Sequence, residues 1–262
     1  MQKVKMTSQN LTTLPEDIAQ NRDLRHLSVF DNELTDLPEW VWSLGKLEVL
    51  NISVNQLTTL SENIGKLENL RMIDAAHNQF TRYPDALGEL PNLTDFLYIG
   101  DNPVAELPAT ITKLTKLRYL NITDMQLTTL PANIGNMASL VEFRAYNNPL
   151  EGVPESIGDL SNLRELHLDK TPLTALPDSI GYLRELRILS LRKCQISELP
   201  DSMGELDNLL YLDLRANPLT TLPESIANLP KLEKLDLRWT HDLETLPGWV
   251  DDLRARGCLV YK

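Results

Sequence analysis

The sequence predicts an α/β repeat fold in which short coils stack on one another and share an apolar core. The chain repeats the pattern L-x-x-L-x-L-x-x-N-x-L-x-x-L-P-x-x-I-G-x-L, in steps of twenty-three residues, over almost its whole length of 262 residues. Its composition, with 42% hydrophobic and 24% charged residues, is ordinary for a soluble protein with a sizeable core. Because one coil cannot bury its own leucines, the coils must stack.

Each coil is predicted to begin with a β-strand. In the copy that starts at Leu209, Leu212 and Leu214 alternate with other residues, and this period of two buries one face of the strand. The side chain of Asn217, which follows, can bond main-chain groups of adjacent coils that would otherwise lack partners. We call this the ladder position. It recurs as Gln9, Asn32, Asn55, Asn78, Asn102, Met125, Asn148, Thr171, Cys194, Asn217 and Thr240.

Two ladder residues differ chemically from asparagine. Cys194 is small and is a weak donor, so it is predicted to be a buried ladder residue rather than a reactive thiol. Met125 cannot donate a hydrogen bond, and its substitution by asparagine is expected to stabilise the chain or leave it unchanged. Cys194 and Cys258 lie on separate coils and are expected to remain thiols.

The repeat resembles leucine-rich repeats of the twenty-three-residue LPxxIGxL type, found in plant Ras-group-related, Ras-suppressor-like and many bacterial intracellular proteins. The resemblance covers residues 1–262. It implies a right-handed solenoid with a parallel sheet on its concave side and short helical or 3₁₀ segments on its convex side. The expected organisation is a single domain of about eleven repeats with a closing strand at the C-terminus.

The convex segments are predicted to begin where a leucine-proline pair is followed by an acid, as at Glu39, Glu155 and Glu224. Proline at the first helical position and acids in the first turn favour a helix start, because the free N–H groups carry partial positive charge. Much of the net charge of −12 is therefore expected to serve structure and solubility.

Two places carry one extra residue, "LTDFLYIGDN" before Asn102 and "WTHDLETLP" after Thr240. The first predicts a bulge at Leu97 and Tyr98, beside Gly100, and bulges often border functional sites. A neutral insertion is the alternative.

Several function classes are disfavoured. The net charge of −12 argues against non-specific nucleic-acid binding. The absence of a membrane-length apolar run and of a secretory signal predicts a cytoplasmic location, or a host cytosol if the protein is an effector, and no membrane insertion. The four histidines lie in different repeats without a Ser or Cys companion, and no metal-type spacing occurs. The sequence therefore predicts neither enzyme activity nor a cofactor.

Recognition is expected on outward strand positions, because the inward ones fill the core. Arg192, Arg215 and Arg238 fall on consecutive strands near aromatic residues, and these residue types dominate interface energies. The alternative is a lattice in which neighbouring aspartates neutralise the arginines. The predicted partner-binding residues are Tyr98, Arg144, Tyr146, His167, Asp169, Arg192, Tyr211, Asp213, Arg215, Asp236, Arg238 and Trp239.

The favoured function is a monomeric, non-catalytic module that binds a protein partner through its concave face. One alternative is the substrate-recognition half of a larger protein, such as a bacterial effector resembling repeat-containing ubiquitin ligases. Another is a self-associating structural protein that pairs through the first strand, at residues 3–7.

Overall fold

The structure, a computed structural model, describes residues 2–262. The chain forms two compact units, Met1–Gln126 and Leu127–Lys262. Short strands, twelve in all, follow one another in chain order, and neighbouring strands within each unit pair in parallel. The strands of the first unit are β1 Lys3–Lys5, β2 His26–Ser28, β3 Val49–Asn51, β4 Met72–Asp74, β5 Phe96–Tyr98 and β6 Tyr119–Asn121. Those of the second are β7 Glu142–Arg144, β8 Glu165–His167, β9 Ile188–Ser190, β10 Tyr211–Asp213, β11 Lys234–Asp236 and β12 Leu259–Tyr261.

The return segments are 3₁₀-helices, as the predicted fold class requires. A typical one, Glu155–Asp159, has Pro154 at its N-cap with φ −68° and an acid in its first turn. The proline thus lies one residue before the predicted position. In the first unit they are Glu16–Gln20, Glu39–Ser43, Glu62–Lys66, Asp85–Glu89 and Ala109–Lys113, and in the second Ile134–Asn136, Glu155–Asp159, Asp178–Tyr182, Asp201–Glu205 and Glu224–Asn228. The last coil has an α-helix instead, α1 Trp249–Ala255.

The ladder asparagines tie adjacent coils together as predicted. The side-chain amide of Asn55 donates to Val29 O of the preceding coil at 3.0 Å and to Ile52 O of its own coil at 3.2 Å. Its Oδ1 accepts from Leu34 N at 3.0 Å. One side chain therefore joins main-chain groups of two adjacent coils.

Cys194 confirms the prediction of a ladder thiol. It is buried, and its Sγ donates to Leu168 O at 3.3 Å, the carbonyl of the preceding coil that an asparagine would bond. Burial raises the pKa of the Cys194 thiol, which keeps it protonated and unreactive. Both cysteines are free thiols.

The coil at Met125 satisfies its backbone in another way. Met125 is buried, and the carbonyl that an asparagine there would bond is Ile99 O. That carbonyl instead accepts the buried hydroxyl of Tyr83 at 2.7 Å. The amide of Val104 turns back to Asn102 O at 2.8 Å. Tyr83 thus takes the place of the missing ladder donor, which the sequence pattern did not indicate.

The predicted bulge at Leu97 and Tyr98 is wrong. Leu97 lies opposite Ile73, and Tyr98 lies opposite Asp74, in regular parallel register. The register with β6 is regular as well. Strand β5 therefore keeps the alternation of its side chains.

The extra residue is absorbed just before β5, at Thr94 and Asp95. Arg118 N donates to Thr94 O at 3.1 Å and Tyr119 N to Asp95 O at 3.2 Å. In a regular coil both such amides bond one carbonyl, as Glu48 N and Val49 N bond Arg25 O. The loop before the strand can accept a residue because no core side chain changes face there.

The residue before each ladder position lies in the left-handed region, with φ between 53° and 64°. None of these residues is glycine, and Val54, with φ 53°, is β-branched. This conformation is costly for most side chains, so neighbouring main-chain hydrogen bonds, such as that from Val54 N to Ala76 O at 3.0 Å, are needed to hold it. The positions are Ser8, Asp31, Val54, His77, Asp101, Asp124, Asn147, Lys170, Lys193, Ala216 and Trp239.

Candidate interaction surface

The first and third residues of each strand point away from the core, and we call the side that they form the sheet face. In strand β8, for example, Leu166 is buried while Glu165 and His167 are partly exposed. The residue two positions after the strand also lies on the sheet face, as Asp169 does beyond His167. Three rows of side chains therefore cross the strands of each unit.

In the second unit, two aspartates of the middle row are buried beneath arginines. Asp213 and Asp236 are 1% and 0% exposed. Arg215 Nε donates to both carboxylate oxygens of Asp213, at 2.9 and 3.0 Å, and lies 3.6 Å from Asp236 Oδ2. The hydroxyl of Tyr211 donates to Asp213 at 3.2 Å. Burial is the largest influence that raises the pKa of Tyr211, to about 12, and the charge of Asp213 adds to it.

Asp236 is held in the same way by the next arginine. Arg238 donates to its two oxygens from Nε at 2.9 Å and from the guanidinium end at 2.7 Å. Lys234 Nζ lies 3.9 Å from Asp236. Burial, the largest single influence, would raise the pKa of Asp236, but the Arg238 hydrogen bonds and the arginine charges outweigh it and lower that pKa. The carboxylate is therefore ionised at neutral pH.

Aromatic rings lie close to two of these cations, Lys234 and Arg238. Lys234 Nζ is 4.5 Å from the centroid of the Tyr211 ring and 5.5 Å from that of Tyr261. The guanidinium of Arg238 is 5.3 Å from the Tyr261 centroid and 5.5 Å from that of Trp239. Cations at such distances are attracted by the ring faces. We call the group the C-terminal cluster; it consists of Tyr211, Asp213, Arg215, Lys234, Asp236, Arg238, Trp239 and Tyr261.

The remaining strands of this unit carry looser charge pairs. Asp169 accepts from Ser190 Oγ at 2.6 Å and lies 3.8 Å from Arg192 Nε. His167 Nε2 lies 3.2 Å from Glu165. Arg144 pairs with Glu142 on its own strand. These side chains follow the same rows as the C-terminal cluster but do not share its dense contacts.

Two family models, described as leucine-rich repeat region and leucine rich repeat, match residues 150–255 and 22–80. A leucine-rich repeat protein of Leptospira interrogans is similar in structure, with 27% identity and a TM-score of 0.56, over 97% of this chain and 82% of that chain. The chain is a leucine-rich repeat protein. No curated protein matches it.

Two further structures are similar to this leucine-rich repeat protein. The plant peptide hormone receptor RGFR1 in complex with RGF2 is 26% identical, with a TM-score of 0.75, over 98% of this chain and 46% of that chain. The structure of PEPR1-AtPEP1 is 27% identical, with a TM-score of 0.78, over 90% of this chain and 34% of that chain. The repeat protein therefore spans less than half the length of these two chains.

The structure brings five of the predicted residues of the repeat protein into mutual contact or close charge pairing, namely Tyr211, Asp213, Arg215, Asp236 and Arg238. Trp239 borders them. The lattice of aspartates and arginines, which was the alternative interpretation, is present here. Its carboxylates are buried, however, so the pairs are not the weak surface bridges that were expected.

The other predicted residues lie apart from this group. Tyr146, His167, Asp169 and Arg192 are on or just after earlier strands of the second unit, as is Arg144. Tyr98 is in the first unit, in strand β5.

Three features of the sheet face were missed. Lys234 and Tyr261 belong to the C-terminal cluster, and Phe96 and Tyr119 stack in the first unit with ring centroids 4.6 Å apart. Lys234, Phe96 and Tyr119 occupy the row six residues before the ladder position, the row of the predicted residue Tyr211, so counting along that row would have found them. Tyr261 belongs to the closing strand β12. No ladder residue follows that strand, so the repeat does not assign Tyr261 to a row.

Two further features of the structure concern metal ligands and membrane-spanning helices. Among residues 2–262, no group of three or more His, Cys, Asp or Glu side chains is placed to hold a metal ion. In the same part of the chain, no helix is long and apolar enough to cross a membrane.

Proposed function

We propose that this leucine-rich repeat protein is a non-catalytic protein-binding module whose contact surface is centred on the C-terminal cluster. The observation that carries the proposal is the construction of that cluster. Buried carboxylates bond Arg215 and Arg238, and aromatic rings lie beside Lys234 and Arg238. Trp239 is 56% exposed, and the side chain of Arg238 is 40% exposed.

This construction favours binding because the side chains are ordered before a partner arrives. Fixing a long flexible side chain costs about 0.5–1.5 kcal/mol on association. Arg238 is already held by two hydrogen bonds to Asp236 and lies beside two rings. Arginine, tyrosine and tryptophan are also the residues most often found at the energetic centre of interfaces.

The similar structures support a protein or peptide as the partner. RGFR1 is a peptide hormone receptor in complex with RGF2. By this similarity, a protein or peptide is the partner class proposed for the present chain.

The finer assignments rest on the sequence. They are the LPxxIGxL subtype, a single domain over residues 1–262, a monomer and a cytoplasmic location. The subtype is supported by ladder bonds that join residues of successive coils, as in the pairing of Cys194 with Thr171 across 23 positions.

Both alternative functions have direct tests. The complete reading frame would reveal a catalytic domain if the chain is the recognition part of a larger protein. Light scattering would detect self-association through an edge strand. Strand β12 is a candidate for such a contact, because its residues Leu259 and Tyr261 are 57% and 41% exposed.

The proposed surface can be tested with substitutions that spare the buried pairs. A partner is first isolated by pull-down, and its affinity is then measured by calorimetry for Trp239→Asn and Lys234→Gln, which leave the hydrogen-bonded pairs Arg215–Asp213 and Arg238–Asp236 in place. Asparagine suits the left-handed conformation of residue 239, where φ is 64°, so the fold is retained. Each substitution is expected to weaken binding by more than about 1 kcal/mol, or about fivefold.

Matched controls carry the same changes away from the sheet face. Tyr182→Asn removes an aromatic side chain that is 63% exposed on a 3₁₀-helix, and Lys231→Gln removes one exposed positive charge. Neither should alter affinity. If the controls weaken binding and the sheet-face variants do not, the contact surface lies elsewhere.

A further inference from the structure

Asp74, in the first unit, occupies the same strand position as Asp213 and Asp236. Each of these three aspartates is the last residue of its strand, and each carboxylate accepts from the amide two residues further on. The distances from that amide are 3.3 Å for Asp74, 3.1 Å for Asp213 and 3.4 Å for Asp236. The backbone therefore places the three carboxylates in the same way.

The side chain two residues further on differs. Arg215 and Arg238 return to the carboxylates of Asp213 and Asp236, whereas the corresponding residue after Asp74 is Ala76. Among residues 2–262, no lysine or arginine forms an ion pair with Asp74, and its carboxylate accepts from Asn51 Nδ2 at 3.2 Å. Burial is the largest influence on Asp74 and raises its pKa, against the lowering effects of the hydrogen bonds from Ala76 and Ser53 and of the charge of His77.

The neighbouring strand completes the likeness to the C-terminal cluster. Tyr98 lies opposite Asp74 in the parallel register, as Tyr261 lies opposite Asp236. In the C-terminal cluster this pair holds a guanidinium, because Arg238 bonds Asp236 and is 5.3 Å from the Tyr261 centroid. Around Asp74 the same acid and ring are present, and Ala76 is too short to reach them.

Further rings widen the surface beside Tyr98. The centroid of Phe96 lies 5.5 Å from that of Tyr98 and 4.6 Å from that of Tyr119. The guanidinium of Arg118 already lies 5.6 Å from the Tyr119 centroid. A planar cation can therefore find both a carboxylate and an aromatic face within this part of the first unit.

We propose that Asp74 and Tyr98 form a subsite for an arginine side chain of a protein or peptide partner. The guanidinium would take the position relative to Asp74 and Tyr98 that Arg238 takes relative to Asp236 and Tyr261. Arginine fits better than lysine, because its planar fork can bond both carboxylate oxygens while it stacks on a ring. This subsite goes beyond the function proposed for the C-terminal cluster.

The test uses a defined probe, the peptide acetyl-Gly-Arg-Gly-amide, and the same peptide with citrulline, which keeps the shape but lacks the charge. Each is titrated into the ¹⁵N-labelled chain while amide chemical shifts are followed. The arginine peptide should give saturable shifts at Asp74, Ala76 and Tyr98, and the citrulline peptide should not. Asp74→Asn, a change that conserves shape, should weaken binding at least about fivefold.

Two more variants distinguish binding at this site from non-specific attraction of the peptide to an acidic chain. Asp36→Asn removes an exposed acid of the same unit and should leave binding unchanged. Ala76→Arg should supply the missing guanidinium from within, abolish peptide binding and lower the pKa of Asp74. Amide spectra of each variant establish that the fold is retained.

The proposal is overturned if the peptide gives no saturable shifts at Asp74 and Tyr98, or if Asp74→Asn binds it as well as the unmodified chain does. Binding of the citrulline peptide with equal affinity would also overturn it. Because the probe and the variants belong to the first unit, these outcomes leave the test of the C-terminal cluster unaffected.

Discussion

The sheet faces of the two units place aspartates at the same strand position but surround them differently. In the second unit, Asp236 is fully buried; burial acts to raise its pKa, but the bonds and charges of its arginines together outweigh burial and lower it. In the first unit, Asp74 is partly exposed and lacks such a partner, and burial raises its pKa. The strand position therefore fixes where the carboxylate lies, while the residue two positions later fixes its charge environment.

This difference teaches how one repeated backbone can carry two kinds of surface. In the second unit, the buried carboxylates of Asp213 and Asp236 pair with arginines of the same unit and orient them. The first unit leaves an acid beside aromatic rings. A repeat protein can thus change the charge of its sheet face by one substitution in a row that has no part in the core.

The largest expected effect concerns the buried pair at Arg215. Replacing Arg215 by alanine leaves Asp213 buried without its main cation, so we expect a loss of about 3 kcal/mol in the free energy of unfolding, measured in urea. Adding Asp213→Asn should recover part of it, because the buried charge is then removed.

Arg184→Ala provides the comparison for Arg215→Ala. Arg184 pairs with Glu205 at the surface, with both side chains 48% exposed, and its removal should cost less than about 1 kcal/mol. Equal losses for the two variants would show that the burial of Asp213 has no energetic consequence. The expected instability also means that Arg215→Ala is unsuitable for mapping a partner.

A smaller effect is expected where Tyr83 compensates for Met125. Tyr83→Phe removes a buried hydroxyl that donates to Ile99 O at 2.7 Å, and should cost about 1 kcal/mol. Met125→Asn alone should change stability by about 0–1.5 kcal/mol in the favourable direction, and in the Tyr83→Phe background it should gain more because the carbonyl then has room for it. Urea unfolding of the four combinations measures this coupling.

If the two substitutions prove additive, Tyr83 does not replace the ladder donor. No equivalent exchange is needed in the second unit at Asn217, whose side-chain amide bonds Leu191 O of the preceding coil at 2.7 Å.

Much of the fold was predictable because the repeat fixes it. The ladder residues, the buried alternation in each strand and the acids after the prolines all follow from a period that one can count. Apart from Trp239, which lies in the turn, the predicted partner-binding residues fall in the rows of the sheet face for the same reason, and their role in binding stays a prediction. What the period could not supply was any contact between residues that do not share a repeat position.

Tyr83 and Ile99 are such a pair, and so are Arg238 and Tyr261. The bulge was misplaced because a chain can absorb an extra residue at several points, and only the hydrogen bonds of Thr94 and Asp95 decide which. The left-handed turn was missed because its residues include valine and tryptophan, which carry no propensity for that conformation.

That turn gives the next prediction, of about 1 kcal/mol. Val54→Asn in the first unit and Trp239→Asn in the second should each stabilise the chain, since asparagine tolerates φ values of 53° and 64° better than the native residues. Thermal unfolding measures the change, with the exposed Thr59→Asn as control. The gain should be greater for Val54, because a β-branched residue is the more strained. A loss in both variants would indicate that packing of these side chains outweighs the strain.

The smallest expected effect has a sign that separates the two aspartates. The pKa of Asp74 is raised by folding, so its ionised form costs stability above that pKa. Asp74→Asn should therefore stabilise the chain at pH 7, by less than about 1 kcal/mol, and this gain should vanish as the pH falls through the folded pKa towards the unfolded value of about 3.9.

Asp236→Asn should behave in the opposite way, because the pKa of Asp236 is lowered. It should destabilise the chain at pH 7, and its deficit should shrink only as the pH falls below about 3.9. Urea unfolding at intervals between pH 7 and pH 3 measures both curves. Curves that change in the same direction would mean that the arginines, despite their contacts, do not distinguish the two sheet faces electrostatically.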